Sequence, residues 1–199
     1  MIIADGFREK EDSSLYAEWN ESQETPVEIK PEIVEKIIGD ETTETAEKSY
    51  KIYSELSENQ IIFGGNYFTD FLFPSRCWIV WDKVGENNFK NPFSDVELAW
   101  TSFSKVCKKY LCIQQGFVNE DKKQPRLHPT QKPLKLFECI LQDYTNEGDL
   151  ILDCFSGSGT TAVACHNLKR RFICIEKDKD YYEASVKRLE DEQKQMTLF

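Results

Sequence analysis

Residues 151–162 read ILDCFSGSGTTA, and few chains can accommodate such a stretch in more than one way. Ile151 and Leu152 lead into an acid, Asp153. Gly157 and Gly159 follow, and then Thr160, Thr161 and Ala162 begin a run of small residues. The pattern predicts a buried strand, a sharp turn and a helix. Glycines let the backbone reverse and let a ligand come close to the amides. The helix start adds N–H groups that have no partner within the helix. On either side the periodicity continues the theme. PLKLFECILQDYT has apolar residues at 134, 136, 137, 140 and 141, a helical stripe. RFICIE, residues 171–176, reads as a strand, and DYYEASVKRLEDEQKQ as a long helix with an acidic first turn. The last third therefore alternates helix, strand, helix, strand, helix, a βαβ unit within a mostly parallel, doubly wound sheet.

The residues of the turn restrict what it can bind. A phosphate-binding loop places Lys-Ser or Lys-Thr after its last glycine, whereas here Thr160 and Thr161 follow Gly159 with no lysine. Asp153 would repel phosphate but accept hydrogen bonds from an ammonium group. A second acid, Glu176, ends the next strand 23 residues further on, about where a nucleoside-binding fold places its ribose carboxylate. An ammonium partner with a ribose partner suits S-adenosylmethionine better than a dinucleotide.

Ahead of this segment, MIIAD reads as a short buried strand ending in Asp5, and residues 8–25 as a polar loop. PVEIKPEIVEKIIGD and TAEKSYKIYSELSEN read as helices, QIIFGGNYF as a strand entering a Gly-Gly turn, and RCWIVWDK as a central strand. VELAWTSF fits strand or helix, and KKYLCIQQ is a strand followed by a polar loop to Leu127. The net charge of −10 resides wholly in residues 1–60, which hold 16 acids against 6 bases. Residues 103–135 hold eight bases against Glu120 and Asp121, which is either a surface for a polyanion or a solvated lysine-rich loop. The seven scattered cysteines form no CxxC pair and read as reduced residues of a cytoplasmic protein. With two histidines, neither at ligand spacing from a cysteine pair, no metal site is expected. No run of 18 apolar residues suggests a membrane span.

DCFSGSGTTAVACHNLKRRFICIEKDKDYYEASVKRL resembles the cofactor segment of S-adenosylmethionine-dependent DNA amino-methyltransferases. LHPTQKPLKLFECIL resembles the segment before it in the branch whose catalytic strand precedes the cofactor half. NQIIFGGNYFTDFL and WIVWDK resemble central strands of phage and bacterial members, so the likeness covers residues 59–190. It implies an α/β fold, a Rossmann-like doubly wound, mostly parallel sheet of the class I methyltransferase type lacking one N-terminal strand. It implies a single domain over 1–199, with an acidic part at 1–58, central strands and a short target-recognition loop at 59–127, and a cofactor part at 128–194. Asp153 would meet the cofactor's amino group. Phe155 and the amides of Ser156, Gly157, Ser158 and Gly159 would wall its methionine part, with Thr160 at the helix start. Glu176 would take the ribose hydroxyls. His128, Thr130, Gln131 and Lys132 would approach the carboxylate, and Pro133 would begin the next helix. Double-stranded DNA would be the substrate, met through the basic 103–135 region.

The catalytic motif of this family is an acid, two prolines and an aromatic. Its acid and a carbonyl accept the hydrogens of an exocyclic amine, and its ring stacks on the flipped base. Here Asp5 stands for the acid and Phe7 for the aromatic, one position early and with no proline. Asp rather than Ser at this place favours adenine N6 over cytosine N4. Three readings follow: an active DNA methyltransferase, a truncated or decayed member with weak or no turnover, and a binding module that uses its acidic face. Gln195, Leu198 and Phe199 resemble a bacterial sliding-clamp peptide, and the alternative is a helix end folded on the core.

Overall fold

The computed structural model describes residues 2–7, 43–86, 94–115, 118–119, 127–128 and 130–196. The segment 26–40, expected as a helix, and the clamp-like end at 197–199 lie outside the described residues. Strand β1 is Ile2–Phe7. Helix α1, Thr43–Leu56, passes directly into β2, Ser57–Phe63. The junction is closed by side chains: Ser57 Oγ donates to the Tyr53 carbonyl at 2.7 Å, and Gln60 Nε2 donates to the Ser57 carbonyl at 3.1 Å. A short 3₁₀ turn, Gly65–Tyr67, follows β2. Strands β3 (Trp78–Asp82), β4 (Val96–Thr101) and β5 (Lys108–Leu111) come next, then a small hairpin of β6 (Gln114–Gln115) and β7 (Val118–Asn119). The ambiguous VELAWTSF is thus a strand. The cofactor-like segment holds α2 (Leu134–Tyr144), β8 (Leu150–Asp153), α3 (Thr160–Asn167), β9 (Arg171–Cys174) and α4 (Lys179–Met196).

Five strands form one sheet in the order β1-β2-β4-β3-β5, while β8 and β9 pair with each other; β1 also runs alongside β8. The α/β class is as expected, but the pairing is more mixed than a mostly parallel sheet. The pairs β3–β5 and β8–β9 are parallel; β1–β2, β2–β4 and β3–β4 are antiparallel. Parallel pairing appears between β8 and β9, where a helix crosses over and returns the chain to the same end.

Period-two alternation assigns the two faces. Ile61 and Phe63 of β2 and Ile151 of β8 pack with Leu136, Phe137, Ile140 and Val163 from α2 and α3. Ile62 and Leu152, one residue along, pack with Tyr50 and Tyr53 of α1 and with Trp100. Both faces are therefore covered by helices, which is the doubly wound layering. Helix α3 has residues Thr160 to Cys165 all buried, and its small side chains let it sit close to its neighbours. No described helix is long and apolar enough to cross a membrane.

Candidate cofactor site

The glycine turn follows β8 directly. Gly157 has φ +51° and Gly159 φ +71°, values that side-chain-bearing residues rarely adopt. A Cβ on Gly159 would stand 2.8 Å from the Ser185 Cβ of α4, so glycine is required there for close approach as well. Ser156 N–H donates to the Ile175 carbonyl at 3.0 Å and Gly159 N–H to the Ser156 carbonyl at 2.9 Å, which ties the turn to the end of β9.

Asp153 lies beneath the turn and is 1 % exposed. Its Oδ1 accepts from Phe155 N–H at 3.1 Å and its Oδ2 from the Thr161 hydroxyl at 2.5 Å. Burial raises its pKa above the ordinary carboxylate value; the two hydrogen bonds and the Lys132 charge oppose the rise without cancelling it. The same burial pushes the adjacent Cys154 thiol up to about 12, so that thiol is inert at neutral pH.

Glu176 closes over the turn from the end of β9. Its Oε2 accepts from Gly157 N–H at 2.7 Å and its Oε1 from Asp178 N–H at 3.0 Å. Each oxygen keeps a second lone pair, so the carboxylate can still accept from two hydroxyls. On the other side, the His128 ring lies 3.5 Å from the place a Gly157 Cβ would occupy. Its Nδ1 accepts from Thr130 N–H at 3.2 Å and stands 2.9 Å from the Thr130 hydroxyl. Gln131 braces the loop: its N–H donates to the His128 carbonyl and its Oε1 accepts from Leu127 N–H at 2.8 Å. The Lys132 carbonyl accepts from the Thr160 hydroxyl at 3.3 Å. The Lys132 ammonium sits 5.0 Å over the Phe63 ring and 3.4 Å from Glu97 Oε2. Pro133 immediately precedes α2, with φ −61°.

Three segments far apart in sequence thus meet at Gly157 and Thr160. Two carboxylates, with no lysine after Gly159 and with the Ser156, Gly157 and Gly159 N–H groups already donated within the chain, suit a ligand bearing hydroxyls and a cationic group and disfavour a triphosphate. Besides Thr161 and Glu97, three residues of α4 at this site escaped the sequence reading. Arg188 Nη1 donates to the Ser158 carbonyl at 3.0 Å and to the Thr160 hydroxyl at 2.9 Å. Tyr181 meets the His128 ring edge-on at 4.3 Å between centroids, and Ser185 abuts Gly159. Their spacing, i, i+4, i+7, is one helical face, and that was the available signal.

Asp5 and Phe7 are not brought to this site. In the antiparallel register Ile2 lies opposite Ile62, Asp5 opposite Asn59 and Phe7 opposite Ser57. The end of β2 that approaches Lys132 is Phe63, so Asp5 stands about 14 Å back along the strand. A cleft of about 430 Å³ lined by Gln60, Arg76, Trp100 and Phe103 opens near that far end. The basic region is partly committed within the chain: Lys108 pairs with Asp143, Lys109 with Asp82 and Lys132 with Glu97, and Lys105 donates to the Asp143 carbonyl. Among the aromatics of the central strands and the turn after β2, Phe63, Trp81 and Trp100 are core and Tyr67 is 76 % exposed.

The α/β layering and the carboxylate-flanked glycine turn define a nucleoside-binding class of protein. The sequence matches the DNA methylase family of the N6/N4 type over residues 30–187, and the chain belongs to that family. Over 65 residues it is 55 % identical to the type II methyltransferase M2.DpnII of Streptococcus pneumoniae, 33 % of this chain and 24 % of that one. Over 70 residues it is 44 % identical to the type II methyltransferase M.HpaI of Haemophilus parainfluenzae, 35 % of this chain and 22 % of the relative. The chain thus spans about a quarter of the length of these relatives. Among solved structures, the M1.HpyAVI–SAM complex superposes with a TM-score of 0.56 at 28 % identity, covering 76 % of this chain and 85 % of the other. TTHA0409 of Thermus thermophilus, complexed with S-adenosyl-L-methionine, gives 0.52 at 16 % identity over 75 % of this chain and 77 % of the other, a likeness of fold.

Proposed function

We propose that the glycine turn, Glu176 and the 128–133 loop hold S-adenosyl-L-methionine, and that the chain directs its methyl group to an exocyclic amine of DNA, adenine N6 before cytosine N4. The observation that carries this reading is the convergence on one residue. Gly157 donates its N–H to Glu176, and the place a side chain would take on it faces the His128 ring at 3.5 Å. The DNA methylase family supports an amine of DNA as the substrate, and the solved SAM complex supports the ligand.

Glu176 would accept from the ribose hydroxyls, and Asp153 would set the negative potential that draws the ammonium group. His128, Thr130, Gln131 and Lys132 would face the carboxylate, with Lys132 supplying the charge. The bound cofactor supplies an electrophilic methyl on a sulfonium centre. The chain's task is then to position the amine, hold its two N–H groups by hydrogen bonds and accept the one proton it loses, since an in-line displacement is governed mostly by alignment. Asp5 is the acid that the sequence offers for that task, and this reading requires the end of β1 to approach the cofactor turn more closely than the register with β2 puts it. The place of Asp5 opposite Asn59 supports a second reading, in which the chain retains the cofactor site but turns over slowly.

Calorimetry with S-adenosyl-L-methionine and transfer of tritiated methyl to unmethylated DNA, followed by nucleoside chromatography, test both. Binding with label on N6-methyladenine is the expected result. Binding without label leaves the second reading, and no binding at millimolar cofactor overturns the first.

A further inference from the structure

We infer that Arg188 is a positioning residue for the cofactor turn, so that the C-terminal helix is a working part of the site rather than a cover for the sheet. The inference rests on the cofactor reading for its ligand, and on geometry alone for its mechanics. A single nitrogen, Arg188 Nη1, reaches three oxygens of the turn: the Ser158 carbonyl at 3.0 Å, the Ser158 hydroxyl at 3.3 Å and the Thr160 hydroxyl at 2.9 Å. Thr160 then donates to the Lys132 carbonyl at 3.3 Å. A chain of hydrogen bonds therefore runs from α4 through the turn into the 128–133 loop, and it fixes the relation between two of the three segments that form the site.

The turn needs such a brace. Gly157 and Gly159 both hold left-handed backbone, and glycine resists no rotation away from it. Gly159 is pressed by Ser185 from the same helix face, and the His128 ring is met by Tyr181 from that face. Tyr181, Ser185 and Arg188 thus touch the loop, the turn's last glycine and the turn's hydroxyls in that order. Arg188 adds a charge-assisted donor, the stronger kind of hydrogen bond, to a carbonyl and hydroxyls whose orientation decides where the turn amides point. Nothing in these contacts places Arg188 against the cofactor itself.

The test compares wild type, Arg188→Ala, Arg188→Lys and, as a control on the exposed neighbour, Lys187→Ala. Two readouts are taken: amide hydrogen exchange of the unliganded protein, and cofactor affinity by calorimetry. Arg188→Ala is expected to raise exchange selectively at residues 156–160, with α2 and the strands unchanged. It should also weaken S-adenosyl-L-methionine binding by about 10–100-fold, the weight of one or two charged hydrogen bonds. Because all three bonds end on one nitrogen, the lysine ammonium should restore part of both effects, and Lys187→Ala should change neither. Wild-type exchange at 156–160 in the alanine variant would overturn the inference. So would a rise spread evenly over the whole chain, which signals lost packing. If the alanine variant does not fold, the lysine variant decides by the same selective change. If wild type binds no cofactor, the cofactor reading fails, and the exchange pattern still supports or sinks the role of Arg188.

Discussion

Burial disfavours the negative charge of Asp153. Its folded pKa is raised, so above the unfolded value of 3.8 the folded carboxyl holds its proton longer than the unfolded chain does. Stability from this group therefore declines as pH rises from 3.8 through the raised folded value. Asn is nearly isosteric and can keep both bonds, accepting from Phe155 N–H and donating to the Thr161 hydroxyl. Asp153→Asn is expected to melt higher than wild type at pH 7 and to lose cofactor affinity, which paired melting curves and calorimetry will show. A variant that melts lower at pH 7 would show that the charge is not a cost. Gly159→Ala is the steric counterpart. With φ +71° and a Cβ 2.8 Å from Ser185, it should cost about 1–3 kcal/mol in urea unfolding.

Among the elements, α2 links the core to the site. Phe137 is buried and stacks on Phe63 at 5.9 Å between centroids, and the Phe63 ring lies under Lys132. Phe137→Ala should lose about 3–5 kcal/mol by denaturant titration. The last turn of α2 carries Asp143, a poor sign of charge beside the helix's own carbonyls. The edge strand corrects it: Lys108 Nζ and the Tyr110 hydroxyl each reach Asp143 Oδ2 at 2.5 Å. Burial would raise this carboxyl, but Lys108 and Tyr110 outweigh it, and the net pKa is lowered from 3.8. The stability it contributes is present above pH 3.8 and is lost as pH falls through the folded value. Asp143→Asn should flatten that part of the acid-unfolding curve, and a curve unchanged from wild type would show that the tie between β5 and α2 is not electrostatic.

At the scale of the whole molecule, charge bears on the proposed DNA partner. Of the eight bases in residues 103–135, Lys105, Lys108, Lys109 and Lys132 end on acceptors of the chain itself, which leaves at most four of the eight for phosphate. Binding to duplex DNA, followed by anisotropy against salt, should therefore show a slope in log K against log salt no steeper than about −4. A slope near about −8 would mean that the paired lysines let go of their acids to meet phosphate.

Local rules made most of this legible beforehand. The stripe at 134, 136, 137, 140 and 141 defined α2, the glycines at 157 and 159 defined the turn, and small residues made α3 a helix that can be buried all round. These depend on neighbours within a few residues, where propensity and periodicity act. Sequence alone could not tell the direction of β1, because a short apolar-rich strand pairs equally well either way, and that choice moves Asp5 by the length of the strand. Nor could it tell that the face formed by Tyr181, Ser185 and Arg188 would meet the turn, or that Asp143 and Asp82 would claim the lysines, because such pairings depend on which surfaces the two covered faces of the sheet bring together. The amino-acid order determined the elements and the chemistry that each carries; only the tertiary packing decided which side chains share a site, because contacts between distant segments are set by how layers stack and not by any signal along the chain.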